Sequence, residues 1–327
     1  MKRRSLLIGV AATIAAPHAA RLQPLVHRVG VLLIFAIDDP AARDRVRAFR
    51  EGLRELGWTE GRDLEIQFRF AGGDADRMRA GASDLITEAS DVIVVQPLSI
   101  VREIRQRSSI PIVFVSAADP VQMNFMATPS HPENNITGFV NFEDAISGKW
   151  LQLLKQAAPH LTRVGFLFDP WLGGTGGSHF WPAFEVAARE LGTEAIRIPV
   201  RNIADIESGM AELAGEPGSG HVVMPGVATS ANYAKIVALA AHHRLPGCYA
   251  FSFFAMDGGL MSYGPNNVDM FRRVASYVDR ILRGEKAADL PIQLPNKYDL
   301  VINLRTARTL GLDISRVLLA QADKVIE

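Results

Sequence analysis

Arg28-Val29-Gly30 opens an apolar run that ends at Phe35, and Arg163-Val164-Gly165 opens a second that ends at Phe168. Acidic and turn residues follow each run, Asp38, Asp39 and Pro40 in the first case and Asp169 and Pro170 in the second, and a stretch of helical character comes next. Short apolar runs bounded by turn residues are how strands buried on both faces look in a sequence. Each opening therefore reads as the first βα unit of its own parallel sheet. Two similar lobes imply a cleft between them. Ligands of open α/β sheets sit beyond the carboxyl ends of the strands, so the loops after Phe35 and Phe168 hold a small molecule if the lobes face each other.

The N-terminus indicates where this happens. Lys2, Arg3 and Arg4 precede an uncharged, mostly apolar stretch from Leu6 to Ala16, and small residues stand at Ala19 and Ala20. This is the three-part layout of a bacterial export signal, assigned to residues 1–22. Its apolar core is too short to span a bilayer as a lasting helix. Arg3-Arg4-Ser5-Leu6-Leu7 also fits a twin-arginine signal loosely. His18 departs from the small residue wanted before a cut after Ala20.

Composition points the same way. Lys+Arg 35 against Asp+Glu 35 builds none of the positive field that a nucleic-acid binder needs. Cys248 is the single cysteine, which excludes an intrachain disulfide and a thiolate metal cluster. The expected mature protein is periplasmic and monomeric, with no cofactor, no metal and no nucleic-acid partner.

Along the chain, strand and helix patterns alternate. Strand 28–35, helix 40–56, strand 64–70, a helix from Asp74 to about Glu88, strand 92–95, helix 99–107 and strand 112–115 describe βαβ winding on one sheet. The second lobe repeats it with strand 164–168, helix 181–191, strand 194–200, helix 203–214, strand 221–224, helix 229–243 and an apolar segment at Tyr249. Beyond that the alternation breaks. Leu260 to Tyr263 has strand character, 267–283 that of a long amphipathic helix, and Tyr298 to Asn303 that of a last strand.

Several motifs, taken in order, resemble a known family: Glu51-Gly52-Leu53-Arg54-Glu55-Leu56-Gly57-Trp58, Ala71-Gly72-Gly73-Asp74-Ala75-Asp76, Ile110-Pro111-Ile112-Val113-Phe114-Val115, Asp119-Pro120-Val121 and Asn135-Ile136-Thr137-Gly138-Phe139. Gly148-Lys149-Trp150, Gly258 through Pro265, Ala275 through Leu282 and Leu300-Val301-Ile302-Asn303-Leu304 continue the series. Together they are similar to the substrate-binding proteins of ABC importers, in the group whose members bind tryptophan, tyrosine or phenylalanine. The resemblance covers nearly all the chain after residue 27. It implies a type I periplasmic-binding-protein fold: two Rossmann-like α/β lobes, three crossovers near 140–144, 250–257 and 286–292, and a ligand trapped by hinge closure. The expected division is 27–140 plus 258–286 for the first lobe and 141–257 plus 287–327 for the second. The implied partners are a small molecule, an amino acid or a small aromatic or carboxylated compound, and the importer's membrane permease.

Loop position then nominates binding residues. Asp38 and Asp39 follow the first strand, where a carboxylate can pair with a ligand ammonium or cap the next helix. Gln96 and Ser99 follow the strand ending at Val95, and Gln96-Pro97-Leu98 stands where many relatives carry small Gly, Ser or Thr residues. Ser99 with backbone N–H groups at its helix start suits a carboxylate. Ser116, Ala117 and Asp119 follow Val115. In the second lobe, Asp169 and Trp171 lie on the loop equivalent to Asp38 and Asp39, Trp171 either stacking on ligand or packing at the lobe edge. Pro225 follows Met224, and Tyr249 and Phe251 supply aromatic surface near a crossover, where core packing is the competing account. Gly173-Gly174-Thr175-Gly176-Gly177 lacks the spacing and lysine of a phosphate loop and reads as a cleft lip.

Enzyme readings find little support. His242-His243 has no metalloprotease partner pattern, no G-x-S-x-G elbow occurs, and Cys248 between Gly247 and Tyr249 has the setting of an inert buried thiol. The nearer alternative is a ligand-sensing receptor domain of the same fold.

Overall fold

The computed structural model describes residues 26–96, 98–117, 126–128, 131–132, 135–170 and 176–327. The first half winds as β1 (His27–Leu33), α1 (Pro40–Glu55), β2 (Leu64–Phe70), α2 (Ala75–Thr87), β3 (Val92–Gln96), α3 (Val101–Arg107), β4 (Ile112–Ala117), a small antiparallel pair β5 (Met126–Thr128) and β6 (His131–Pro132), and β7 (Ile136–Val140). Five of these strands form one parallel sheet in the order β2-β1-β3-β4-β7.

The chain continues through α4 (Ile146–Ala157), β8 (Arg163–Phe168), α5 (Trp181–Glu190), β9 (Glu194–Pro199), α6 (Ile203–Ala214), β10 (Ser219–Val223), α7 (Val227–Ala231), α8 (Tyr233–His242), β11 (Gly247–Tyr249), α9 (Ser252–Met256) and β12 (Met261–Pro265). It ends with α10 (Asn267–Leu282), β13 (Tyr298–Asn303), α11 (Leu304–Leu310), α12 (Arg316–Ala320) and β14 (Lys324–Ile326). The second sheet runs β14-β13-β12-β11-β10-β8-β9 and is parallel except where β13 meets β12. The expected two-lobed α/β fold is present.

The inner strands β1, β3 and β8 are buried on both faces, which is why they read as unbroken apolar runs. In the first lobe Val29, Val31, Leu33 and Val94 pack under α1 and α10 with Phe49, Phe271 and Val274. Leu32, Ile93 and Val95 face the opposite way, against Leu85 of α2 and Ile104 of α3. The motif Glu51 to Trp58 is explained by the first of these layers. A Cβ on Gly52 would stand 2.7 Å from the carbonyl oxygen of Arg272, so only glycine lets α1 and α10 approach this closely. Arg272 donates to Glu51 (2.7 Å) and Glu55 (2.6 Å), and Trp58 Nε1 donates to Asp279 (2.9 Å). The motif docks two helices.

The division of the chain differs from the expected one in two places. β12, expected with the first lobe in 258–286, is hydrogen-bonded between β11 and β13 of the second sheet, and only α10 returns to the first lobe. Residues 287–293, expected with the second lobe, run along the first: Thr137 Oγ1 donates to the Leu290 carbonyl (2.7 Å), Gln293 N to that of Gly138 (2.9 Å), and Val140 N to that of Gln293 (3.0 Å). The crossovers consequently fall at 141–145, 265–267 and 294–297. Strand character in 260–265 requires some strand partner, but periodicity does not name the sheet that provides it. The expected helix 229–243 is also two helices, broken at Asn232. The residues of the expected export signal lie outside the described residues.

Candidate functional site

All three crossovers join carboxyl edge to carboxyl edge. The first leaves β7 at its end and enters α4, the second leaves the end of β12 and enters α10, and the third passes from Gln293, paired beside Phe139, into the start of the antiparallel strand β13. The carboxyl ends of the two sheets are thus the edges that the hinge connects, and the space beside it is the cleft. The second and third crossovers are tied together, since Asn266 N donates to the Lys297 carbonyl (3.1 Å) and the Asn266 amide donates to Asp299 (2.9 Å).

On the first sheet the strand order reverses between β1 and β3, whose last residues, Leu33 and Gln96, are register partners. This is the switch point at which open sheets bind ligands. Gln96 is buried, 9% exposed, and its Oε1 has no hydrogen-bond partner among the described residues. Ser99 lies exposed in the short 3-10 turn Leu98–Ile100 that precedes α3. It lines a cavity of about 300 Å³ with Ile34, Asp74, Met78, Ile100 and Glu103. Asp38 is exposed and Asp39 half-buried. The backbone carbonyl of Asp39 accepts from Arg43 N (3.1 Å), so Asp39 stands at the start of α1. Ser116 and Ala117 end β4. Pro97, Asp119 and Trp171 lie outside the described residues.

Arg45, which sequence reasoning missed, closes this corner. Its guanidinium lies 4.5 Å above the Phe35 ring, and burial, opposed by Asp39 and Asp44, pulls its pKa down to about 10. It remains a cation at neutral pH. Its signal in the sequence was its place one helical turn into the helix after β1, which no motif marks.

The second sheet reverses between β8 and β10. Asp169, nominated as a ligand carboxylate, is buried there and takes the backbone N–H of Ala228 (3.0 Å) on Oδ2, while its carbonyl accepts from Gly177 N (2.7 Å). It fastens the loop after β8 to the start of α7. Pro225 is buried in the loop after β10, which Thr229 Oγ1 braces by donating to the Met224 carbonyl (3.0 Å).

The two aromatic candidates separate. Tyr249 is a core residue, 0% exposed, stacked on Phe254 at 4.7 Å. Met210 of α6, Ile236 and Val237 of α8 and Phe254 of α9 share its core layer and cover the ring, which is the physical reason it is withheld from the cleft. Phe251, two residues on, has left the strand. It is half-buried, meets Phe142 of the first crossover edge-on at 5.7 Å, and stacks on the 39% exposed Phe253 at 5.6 Å. Phe142 was not foreseen either, although its position directly after β7 was the available signal. Nearby, Tyr263 and Tyr298 stack at 5.2 Å, and burial, supported by neighbouring carboxylates, raises both hydroxyl pKa values.

The candidate site thus combines neutral polar groups on one lobe, the half-buried Arg45 guanidinium at the same corner and aromatic surface on the other lobe beside the hinge. Among the described residues no group of three or more His, Cys, Asp or Glu is placed to hold a metal, and no helix is long and apolar enough to cross a membrane. Cys248 is buried, and burial raises its thiol pKa.

Known proteins share this architecture. A tyrosine-binding protein of Clostridioides difficile (strain R20291) is 19% identical over 285 residues, 84% of this chain and 79% of its own length. The crystal structure of an ABC domain from Streptococcus pneumonia in complex with L-Trp superposes with a TM-score of 0.76 at 20% identity, covering 92% of this chain and 100% of that one. A ligand-free, open substrate-binding protein from Clostridium difficile gives 0.75 at 21% identity, covering 92% and 99%. Likeness at this identity establishes the fold, and the family model for ABC transporter substrate binding protein matches residues 28–326. The chain belongs to the ABC transporter substrate-binding protein family.

Proposed function

We propose that this protein is the exported receptor of an ABC importer and that it captures an aromatic amino acid by closing its two lobes. The observation that carries this reading is the pairing of opposed carboxyl edges across three crossovers with an accessible aromatic pair, Phe251 and Phe253, on one of those edges. Aromatic rings at the mouth of a cleft offer a flat apolar ligand both area and ring contact. Relatives named for tyrosine binding and solved with L-Trp support the same class.

In this reading the ligand lies between Gln96, Ser99, the end of β4 at Ser116 and Ala117, and Asp38 on the first lobe, and Phe251 and Pro225 on the second. Contacts made by both lobes at once favour the closed state, because a ligand shifts a two-state hinge only by its differential affinity for the two states. The closed form then docks on the membrane permease. The receptor works in the periplasm as a monomer, needs no cofactor and catalyses no reaction.

A thermal-shift series with L-tryptophan, L-tyrosine, L-phenylalanine, aliphatic amino acids and sugars tests the assignment. A ligand at a hundred times its Kd stabilises the native state by about 2.7 kcal/mol, so aromatic amino acids should raise Tm by several degrees while sugars leave it unchanged. A shift with sugars alone overturns the ligand class.

A further inference from the structure

We infer that Gln96 is a specificity-determining residue that selects ligands carrying a neutral hydrogen-bond donor on the aromatic ring. The inference deepens the aromatic amino-acid reading and rests on it. Gln96 ends β3 beside Leu33, the last residue of β1, at the point where the strand order of the first sheet reverses. By the alternation of side chains along β3 it falls on the face of Val92 and Val94, under α1 and α10. The residues that precede it on that face are apolar, and nine-tenths of Gln96 is removed from solvent with Oε1 unpartnered among the described residues.

A buried amide oxygen without a donor destabilises the protein that carries it. Val92, Val94 and Val95 show that apolar residues fill this strand readily. A glutamine at its end is accounted for when a ligand supplies the missing donor. The amide is neutral, so its matched partner is neutral as well. An ammonium held against it would keep its charge unpaired where solvent is largely excluded. A phenol O–H or an indole N–H meets the requirement, whereas a plain phenyl ring leaves Oε1 unpaired. Sites that hydrogen-bond a substrate group discriminate strongly against the analogue that lacks it, because the polar group of the site is then stranded.

The test is titration calorimetry on the mature chain with L-tyrosine, L-tryptophan and L-phenylalanine, for the wild type, Gln96→Met and Gln96→Asn. The wild type should bind tyrosine and tryptophan at least about tenfold more tightly than phenylalanine, a difference of about 1.4 kcal/mol. Gln96→Met, which keeps the length and removes the amide, should bring the three within about twofold of one another. Its ligand-free form should melt at the same temperature as the wild type or higher, because a stranded acceptor is gone. Gln96→Asn withdraws the amide by one methylene and should lower the preference with the fold kept. Equal wild-type affinity for all three, or an unchanged ratio in Gln96→Met, overturns the donor assignment while the receptor reading stands. Absence of binding by all three overturns both.

Discussion

His221 Nε2 and Tyr249 Oη lie 3.0 Å apart inside the second lobe, and neither residue has any exposed surface. The pair sits on adjacent strands, β10 and β11, and its burial has a consequence for stability. Desolvation disfavours the imidazolium and lowers the pKa of His221 from 6.5 to about 3. The unfolded chain takes up this proton near pH 6.5 and the folded chain only near pH 3. Between those values the unfolded state binds more protons, so stability is full above pH 6.5 and falls as the pH drops toward 3. The slope from one group is at most about 1.4 kcal/mol per pH unit. Urea unfolding at pH 5 should show a loss of up to about 2 kcal/mol relative to pH 7 from this residue. His221→Phe should be less stable at pH 7 yet show a flatter pH profile over that range.

Gly138 tests how tightly β7 closes the first sheet. It has φ +155, and a Cβ there would stand 2.1 Å from the carbonyl oxygen of Phe114. Gly138→Ala must either move β4 from β7 or strain both, so a loss of more than about 2 kcal/mol is expected by denaturant titration. The damage extends to the third crossover, because the Gly138 carbonyl accepts from Gln293 N.

Phe251 and Tyr249 should part in mutagenesis as they do in the structure. Phe251→Ala removes ring surface at the cleft and should weaken L-tryptophan binding about tenfold, a change equal to about 1.4 kcal/mol, with little effect on Tm. Tyr249→Phe deletes the partner of His221 in the core, so it should lower Tm and leave affinity within about twofold. Calorimetry and melting curves on the same preparations distinguish the two.

Closure should be visible in solution. Saturating L-tryptophan should reduce the radius of gyration measured by X-ray scattering, since hinge closure brings the carboxyl edges together. An unchanged radius in a sample shown by calorimetry to be saturated would count against lobe closure.

Export is checked at the N-terminus. Sequencing of the periplasmic form should show residues 1 to about 20 removed. Replacing Arg3 and Arg4 with lysine should block export if the twin-arginine route is used and leave it intact if the general route is used.

Much of the architecture was legible because the inner strands β1, β3 and β8 are buried on both faces. That burial writes itself into the chain as the runs 29–33, 92–95 and 164–168, and the helices between them show their apolar faces at a period near 3.6. Local caps were legible for the same kind of reason: Asp74 accepts from Arg77 N at 2.8 Å, a contact set by residues three apart.

What the sequence by itself determined, then, is the alternation of strand and helix from β1 to β4 and again from β8 to β10, and the doubling of the lobe. Only the tertiary structure decided which sheet receives β12, that Asp169 fastens a loop, and that Tyr249 is sealed in the core while Phe251 is not. These depend on pairings between segments far apart in the chain. Residues 290 and 137 are joined by one side-chain hydrogen bond, and Gln96, whose Oε1 is unpartnered among the described residues, stands beside Leu33 of β1, 63 positions earlier. A local pattern records how a residue's own segment is buried. It does not record what a distant segment places beside that residue, and at this cleft that is what separates a binding group from a structural one.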